Sequence, residues 1–114
     1  MVRETELKQL IDQIKHDKSK WRISRRGKNL MAMATLGIDA DEILNEIYAG
    51  IAWQDYVSGP EKDNHHPPIP GDIWIFGMVL DATECYLKFQ LKAHHIVFWI
   101  SAHPAAYPLH YPFR

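Results

Sequence analysis

The sequence predicts an α+β domain in which N-terminal helices pack on one face of an antiparallel β-sheet. Residues 1–50 show helical spacing of apolar residues, whereas residues 72–114 contain three apolar runs separated by short turns. Helices followed by strands is the order typical of an α+β domain. A length of 114 residues suits one domain, with a mainly helical part (1–50), a loop-rich part (51–71) and a sheet with an extended tail (72–114).

The helical half predicts three helices. Over residues 5–17, the residues that recur at helical spacing are Leu7, Leu10, Ile11 and Ile14. The segment WRIS is expected to be extended, after which Ser24 caps a second helix that Gly37 ends. Asp39 and Glu42 have the spacing of a capping box and begin a third helix, which ends at Gly50.

Residues 58–71 are predicted to form a long loop, because they contain four of the seven prolines and two glycines. Three predicted strands follow at 72–80, 84–91 and 95–103, and the short turns between them favour antiparallel hairpins. The proline-rich tail is expected to run extended over the surface. The side chains expected to pack together in the core are Leu10, Ile14, Leu30, Ile43, Ile47, Leu87, Phe89, Phe98 and Ile100.

The strand ECYLKFQLK, residues 84–92, has two faces of different character. Its apolar face carries Cys85, Leu87, Phe89 and Leu91, and its polar face carries Tyr86, Lys88, Gln90 and Lys92. A hairpin turn near residues 93–94 would set Tyr86 opposite Ser101 and Lys88 opposite Trp99. Trp99, Ser101 and His103 would then share the polar face with Tyr86 and Lys88.

These polar side chains suit the cleavage of RNA without a metal ion. An imidazole titrates near neutral pH, so His103 fits the general acid or the general base. Lys88 can stabilise the charge of the phosphate, and Tyr86 can donate a hydrogen bond. Trp99 offers a plane for a nucleobase, and Ser101 on the same face is expected to contact the RNA. The alternative is an ordinary solvent-exposed face, which is common in antiparallel sheets.

Positive charge is concentrated near the N-terminus, although the net charge of the chain is −1. Residues 1–28 carry nine Lys and Arg against four Asp and Glu, whereas residues 29–114 carry four against ten. Such a cluster can bind a polyanion or be merely solvated. The residues expected to contact RNA phosphates are Arg22, Arg25, Arg26 and Lys28.

The composition also indicates the cellular compartment and bears on whether the chain binds a metal ion. A single cysteine, Cys85, excludes an internal disulfide and favours the cytoplasm. No apolar run approaches the roughly 20 residues that span a bilayer, and the first residues are too polar for a signal peptide. The pairs His65–His66 and His94–His95 lack the usual spacing of metal ligands, so we expect no metal site and no cofactor.

Several short motifs, taken in order, resemble the motility quorum-sensing regulator (MqsR) family of toxins. They are LGIDADEILNEI (36–47), DYVSGPEKD (55–63), GDIWIFG (71–77), YLKFQL (86–91) and ISAHPAAYPLHYPF (100–113). The resemblance covers about residues 22–113. The chain differs from the family pattern at Ser58, Ile75 and Ala102.

The resemblance implies a RelE-like fold and a metal-independent endoribonuclease that cuts messenger RNA, an mRNA interferase of a type II toxin–antitoxin system. It implies catalytic roles for Tyr86, Lys88 and His103, and a place for Trp74 in the RNA site. It also implies an antitoxin partner with a helix-turn-helix part. Two alternatives remain open, namely a binding module of the same fold with weak catalysis, and a histidine-rich domain that binds a metal or a small ligand.

Overall fold

A computed structural model describes residues 2–114 and has an α+β architecture with three helices and a five-stranded mixed sheet. The helices are α1 (Glu4–Ile14), α2 (Gly27–Leu36) and α3 (Ala40–Gly50). The strands are β1 (Trp21–Ile23), β2 (Tyr56–Glu61), β3 (Ile73–Leu80), β4 (Thr83–Leu91) and β5 (Val97–Pro104). The predicted α+β class with three helices is confirmed, and β2 to β5 follow the helices, whereas β1 lies between α1 and α2.

The sheet has the strand order β1-β5-β4-β3-β2. The neighbours among β2 to β5 are antiparallel, but β1 runs parallel to β5, with Trp21 beside Val97. The prediction of a wholly antiparallel sheet is therefore wrong at this edge. The long chain between β1 and β5 supplies the connection that a parallel pair needs.

Strand β2 occupies the start of the segment predicted as a loop from residue 58. It forms the other edge of the sheet and pairs Ser58 with Ile75 and Glu61 with Ile73. The register shifts twice along β2, and the second shift, between Ser58 and Glu61, accommodates Gly59 and Pro60. An edge strand tolerates proline because one side of its backbone needs no partner.

The ends of the helices follow local sequence signals at most positions. Asp39 caps α3, with its carboxylate accepting the Glu42 N–H at 2.8 Å, and the predicted capping box and the end at Gly50 are confirmed. Gly37 ends α2 in the left-handed conformation, with φ of 70°. The predicted cap at Ser24 is wrong, because Arg26 occupies the N-cap position and α2 begins at Gly27. The Ser24 hydroxyl instead accepts the Arg26 N–H at 3.3 Å.

Helices α1 and α3 bury their apolar stripes against the inner face of the sheet. The buried members predicted from the sequence include Leu7, Leu10, Ile14, Ile43 and Ile47 on the helices and Leu87 and Phe89 on β4. Trp21 links the two layers, because its indole N–H donates to the Ile14 carbonyl at 2.7 Å. Leu30, Phe98 and Ile100 are errors of the core prediction. Leu30 is 45% exposed, since α2 turns Asn29, Ala32 and Met33 inward, and Phe98 and Ile100 are only partly buried.

The β4–β5 hairpin differs from the predicted register. Near the turn, Phe89 lies opposite Trp99, whereas farther along Lys88 lies opposite Ser101 and Tyr86 opposite His103. Ile100 is the extra residue between these two stretches, so it forms a β-bulge. A bulge reverses which face alternate residues occupy. The polar-face prediction is therefore correct beyond Ile100 and wrong before it.

Candidate nucleic-acid cleavage site

Four polar side chains meet on the outer face of β4 and β5. Tyr86 and Lys88 come from β4, and their cross-strand partners on β5 are His103 and Ser101. The four side chains line a cleft of about 370 Å³ together with Arg26 and Lys28 from the start of α2. The predicted catalytic residues and two of the predicted RNA-binding cations are thus brought together in one place.

Asn29 fixes α2 against the bulge of β5. Its side chain is fully buried, and its amide donates to the carbonyls of Ser24 and Ile100 at 2.9 and 3.0 Å. The amide oxygen accepts the Ala102 N–H at 2.9 Å. A bulge leaves backbone groups without ladder partners, and Asn29 supplies them. Asn29 therefore holds the segment that carries Ser101 and His103.

The imidazole of His103 is positioned by two contacts. Its ring stacks on the ring of Tyr86, with centroids 5.6 Å apart and an interplanar angle of 22°. Its Nδ1 lies 3.0 Å from the Pro104 carbonyl oxygen. Because a carbonyl only accepts hydrogen bonds, Nδ1 carries the proton in this contact. The atom left for proton exchange with a substrate is Nε2.

Glu61 adds a carboxylate that the sequence reasoning missed. It lies at the end of β2, and its Oε1 is 3.9 Å from the Lys88 ammonium. At this distance the two side chains are an ion pair without a close hydrogen bond, and Glu61 is exposed. The dipeptide Gly59–Pro60 reads as a break in the sequence, so nothing there indicated that the strand continues to Glu61.

The phenol of Tyr86 stays protonated at neutral pH. Partial burial raises its pKa above the ordinary value of 10.0, the negative charge of Glu61 raises it further, and Arg26 opposes the shift. Tyr86 is therefore available as a hydrogen-bond donor. Arg26 also reaches the floor of the cleft, where its Nη1 lies 3.4 Å from the hydroxyl of Ser101, which is itself buried.

Two predicted RNA-binding tryptophans lie in the core instead. Trp99 has no exposed surface, because the bulge turns it inward against Trp21 and Phe89 at centroid distances of 4.9 and 4.8 Å. Trp74 is also buried and packs edge-to-face on Tyr56. A ring without free surface cannot stack on a nucleobase, so the predicted stacking role of Trp99 is wrong. Trp74 is 8% exposed and does not line the cleft, so the structure does not bring it to the predicted site.

Two of the predicted cations lie outside the cleft. The guanidinium of Arg22 donates to the carbonyls of Ser19 and Trp21 at 2.7 and 2.9 Å. Arg25 is exposed between β1 and α2 and does not line the cleft. The basic stretch is therefore divided, with Arg26 and Lys28 at the site and Arg22 and Arg25 away from it.

The C-terminal tail forms one wall of the cleft through Tyr107 and Leu109. Glu84 on β4 anchors this tail, since its carboxylate accepts the Leu109 N–H at 3.1 Å and the Tyr111 hydroxyl at 2.9 Å. Leu109 and Tyr111 fill the space above Gly77, where a side chain would collide with them. The tail was predicted to be extended and surface-hugging, but its place at the site was not predicted.

Another cleft, of about 650 Å³, lies against α1 and contains none of the predicted catalytic residues. The histidine-rich loop is organised around Asp63, which accepts a hydrogen bond from His65 and the Ile69 N–H, the latter at 2.7 Å. These bonds lower the pKa of Asp63 to about 2. Among residues 2–114, no three His, Cys, Asp or Glu side chains are grouped so that they would bind a metal ion.

Comparisons with protein-family models, with curated proteins and with solved structures give no match to this chain. Within the described residues, no helix combines the length and the apolar character needed to cross a membrane.

Proposed function

We propose that this chain is a metal-independent endoribonuclease, an mRNA interferase that cuts single RNA strands at the cleft between β4, β5 and the C-terminal tail. The observation that carries the proposal is the grouping of His103, Lys88, Tyr86 and Glu61 on one sheet face. This set supplies a proton acceptor, a proton donor and a cation, which are the groups needed to cleave RNA through its own 2′-hydroxyl.

The proposed reaction begins when the carboxylate of Glu61 takes the proton of the 2′-hydroxyl. The 2′-oxygen attacks the adjacent phosphorus, and the bond between phosphorus and the 5′-oxygen breaks. The imidazolium of His103 gives its Nε2 proton to the departing 5′-oxygen. The products are a 2′,3′-cyclic phosphate and a 5′-hydroxyl, and Glu61 and His103 then exchange protons with water to return to their starting states.

Lys88, Arg26 and Tyr86 stabilise the charge of the phosphate and position the reacting groups. Lys88 and Arg26 carry the positive charge that faces the phosphate as its negative charge is redistributed in the transition state. The protonated phenol of Tyr86 donates to a phosphate oxygen, and its ring holds the imidazole of His103 in place. Loss of the Tyr86 hydroxyl is therefore expected to have a smaller effect than loss of Lys88 or His103.

We also propose that the fold is RelE-like and that the partner is a cognate antitoxin with a helix-turn-helix part, because the motifs of the chain resemble those of the MqsR toxins. Expression of the chain alone is expected to arrest growth and degrade messenger RNA in the host cytoplasm. Co-expression of an adjacent helix-turn-helix gene is expected to restore growth. Growth arrest that is equal with and without that gene would contradict the partner proposal.

The direct test is incubation of the purified protein with end-labelled single-stranded RNA in excess EDTA, followed by analysis of the product ends. We expect cleavage that leaves 2′,3′-cyclic phosphates. His103→Ala and Glu61→Gln are each expected to lower the rate by roughly 10²- to 10⁴-fold, as for a general acid or base. Matched controls are His110→Ala in the exposed tail and Glu46→Gln on the exposed face of α3.

RNA that is bound but left intact by the folded wild-type protein would refute the catalytic proposal and favour the binding-module alternative. Activity that EDTA abolishes and added zinc or magnesium restores would refute metal independence. Equal rates for wild type and folded His103→Ala would remove His103 from the mechanism.

A further inference from the structure

A second, more apolar cleft of about 280 Å³ adjoins the catalytic one. The two clefts share Lys28, His103 and Ala106, so they form one continuous groove with His103 at the junction. The second cleft is otherwise lined by α2 and by the end of β5, including Met31 and Pro104. One side of the junction is therefore rich in charge, and the other side is mainly hydrocarbon.

Tyr107 stands on the wall of the charged side and is 81% exposed. The backbone is anchored on both sides of it, because the Ala105 N–H donates to the Glu84 carbonyl at 2.9 Å and the Leu109 N–H donates to the Glu84 carboxylate at 3.1 Å. A ring carried by a fixed backbone loses little freedom when a flat ligand stacks on it. Tyr107 thus has a free ring face on which a nucleobase can stack, which the buried Trp99 lacks.

Met31 lies on the apolar side of the junction, as Tyr107 lies on the charged side. It is 71% exposed on α2 and lines the second cleft, whereas its exposed neighbour Leu30 lines neither cleft. Thioether side chains adapt to flat, polarizable surfaces. The groove therefore changes in character along its length, from the aromatic ring of Tyr107, through the cationic junction, to the apolar side chain of Met31.

We propose that this groove binds two consecutive nucleotides of single-stranded RNA, with the scissile phosphate beside His103. The 5′ nucleotide, which carries the attacking hydroxyl, lies on the Lys88 side with its base on the ring of Tyr107. The 3′ nucleotide lies in the Met31 cleft, because its departing 5′-oxygen must face the acid at the junction. Both bases must leave a duplex stack to bind in this way, so double-stranded RNA is excluded.

This inference rests on the proposed function, but it can be tested by binding alone. The probe is a 2′-fluoro tetranucleotide that contains 2-aminopurine, which cannot be cleaved because it lacks the attacking hydroxyl. Stacking on Tyr107 is expected to quench the fluorescence of the wild-type complex and that of Tyr107→Phe. Tyr107→Ala is expected to abolish the quenching and to weaken binding by roughly 5- to 150-fold, the range for one base stacked on an aromatic ring.

Matched controls separate the groove from the general surface. His110→Ala, in the same tail, and Leu30→Ala, on the same helix, are expected to bind the probe like the wild type. Met31→Ala is expected to weaken binding, and the probe annealed to its complement within a longer duplex is expected not to bind. All of these substitutions are at exposed positions, so folding is expected to be retained.

The outcomes distinguish the inference from the proposed activity. RNA cleavage together with a Tyr107→Ala variant that binds the probe like the wild type would overturn the groove inference and leave the endoribonuclease proposal standing. The expected binding pattern in a protein that cuts no RNA would support the groove and refute catalysis. Absence of binding by the wild type, or equal binding of duplex, would overturn the groove inference.

Discussion

Tyr86 and His103 are cross-strand partners whose rings stack at 5.6 Å on the outer face of the sheet. This pairing exists because one residue, Ile100, bulges out of β5 and shifts the register of the strand beyond it. The bulge places Ser101 and His103 in the cleft and turns Trp99 into the core. The geometry of the candidate site therefore depends on how the bulge is stabilised.

Asn29 is expected to be the main stabiliser of the bulge. Asn29→Ala would leave the carbonyls of Ser24 and Ile100 and the N–H of Ala102 without their partner. We expect the free energy of unfolding to fall by on the order of 3 kcal/mol, since each buried unpaired group costs about 1–3 kcal/mol. Urea unfolding measures this loss. Asn45→Ala, at an exposed position of α3, should change stability by less than about 0.5 kcal/mol, and an equal loss in both variants would contradict the role of Asn29.

Trp99 is expected to contribute to the stability of the fold and not to RNA binding. Trp99→Ala removes a fully buried ring, so the free energy of unfolding should fall by about 3–5 kcal/mol. Phe98→Ala is the control, because Phe98 is partly exposed on the outer face beneath Lys92, and its loss should be smaller. Thermal unfolding of both variants checks this expectation. A Trp99→Ala variant with wild-type stability and weakened RNA binding would show that the ring is not a core residue.

Cys85 is expected to make the stability of the fold decline at alkaline pH. Burial raises the pKa of its thiol from 9.0 to about 11, so the folded chain keeps a proton that the unfolded chain loses. The stabilising contribution is therefore complete below about pH 9 and is lost as the pH rises towards 11. The decline should be on the order of 3 kcal/mol, because one pKa unit corresponds to about 1.36 kcal/mol.

The measurement is the difference in unfolding free energy between wild type and Cys85→Ala as a function of pH. The difference removes the contributions of Tyr56, Tyr86 and Tyr111, whose pKa values are also raised. A difference that stays constant from pH 8 to 11 would show that the thiol of Cys85 is not buried in its protonated form. The native thiol should also be unreactive towards disulfide reagents at neutral pH.

Arg26 and Lys28 are expected to be the phosphate contacts of the basic segment. Replacing both with Gln should reduce the slope of log K against log salt for single-stranded RNA by about 1.4, at about 0.7 per phosphate contact. The matched control replaces Lys18 and Arg22 with Gln, which removes the same charge outside the cleft. Titrations at several salt concentrations give both slopes. Equal reductions of the slope in the two double variants would show that RNA binding depends only on the net charge of the protein.

The sequence predicted the parts of the fold that local patterns specify. The periodic stripe of α1, the capping box at Asp39 and the alternation of β4 each have one structural solution, and each is found. The order of the elements then follows, and with it the apolar inner face of the sheet.

The features that were missed depend on contacts between distant segments. The extra residue at Ile100 has no signature in the sequence, so the facing of Phe98 and Trp99 was inverted. The parallel edge strand β1 and the continuation of β2 to Glu61 arise only from their partners β5 and β3. The burial of Asn29 likewise depends on the bulge that it supports, so it was not predicted from the sequence.

The role of His103 as the acid that protonates the departing 5′-oxygen is the central claim, and one measurement tests it directly. The substrate is a single-stranded RNA whose scissile phosphate has sulfur in place of the bridging 5′-oxygen. A thiolate leaves without a proton, so an acid is no longer needed. We predict that His103→Ala cleaves this RNA nearly as fast as the wild type, while Glu61→Gln remains slow. A His103→Ala variant that is equally impaired on the sulfur and oxygen substrates would contradict the account.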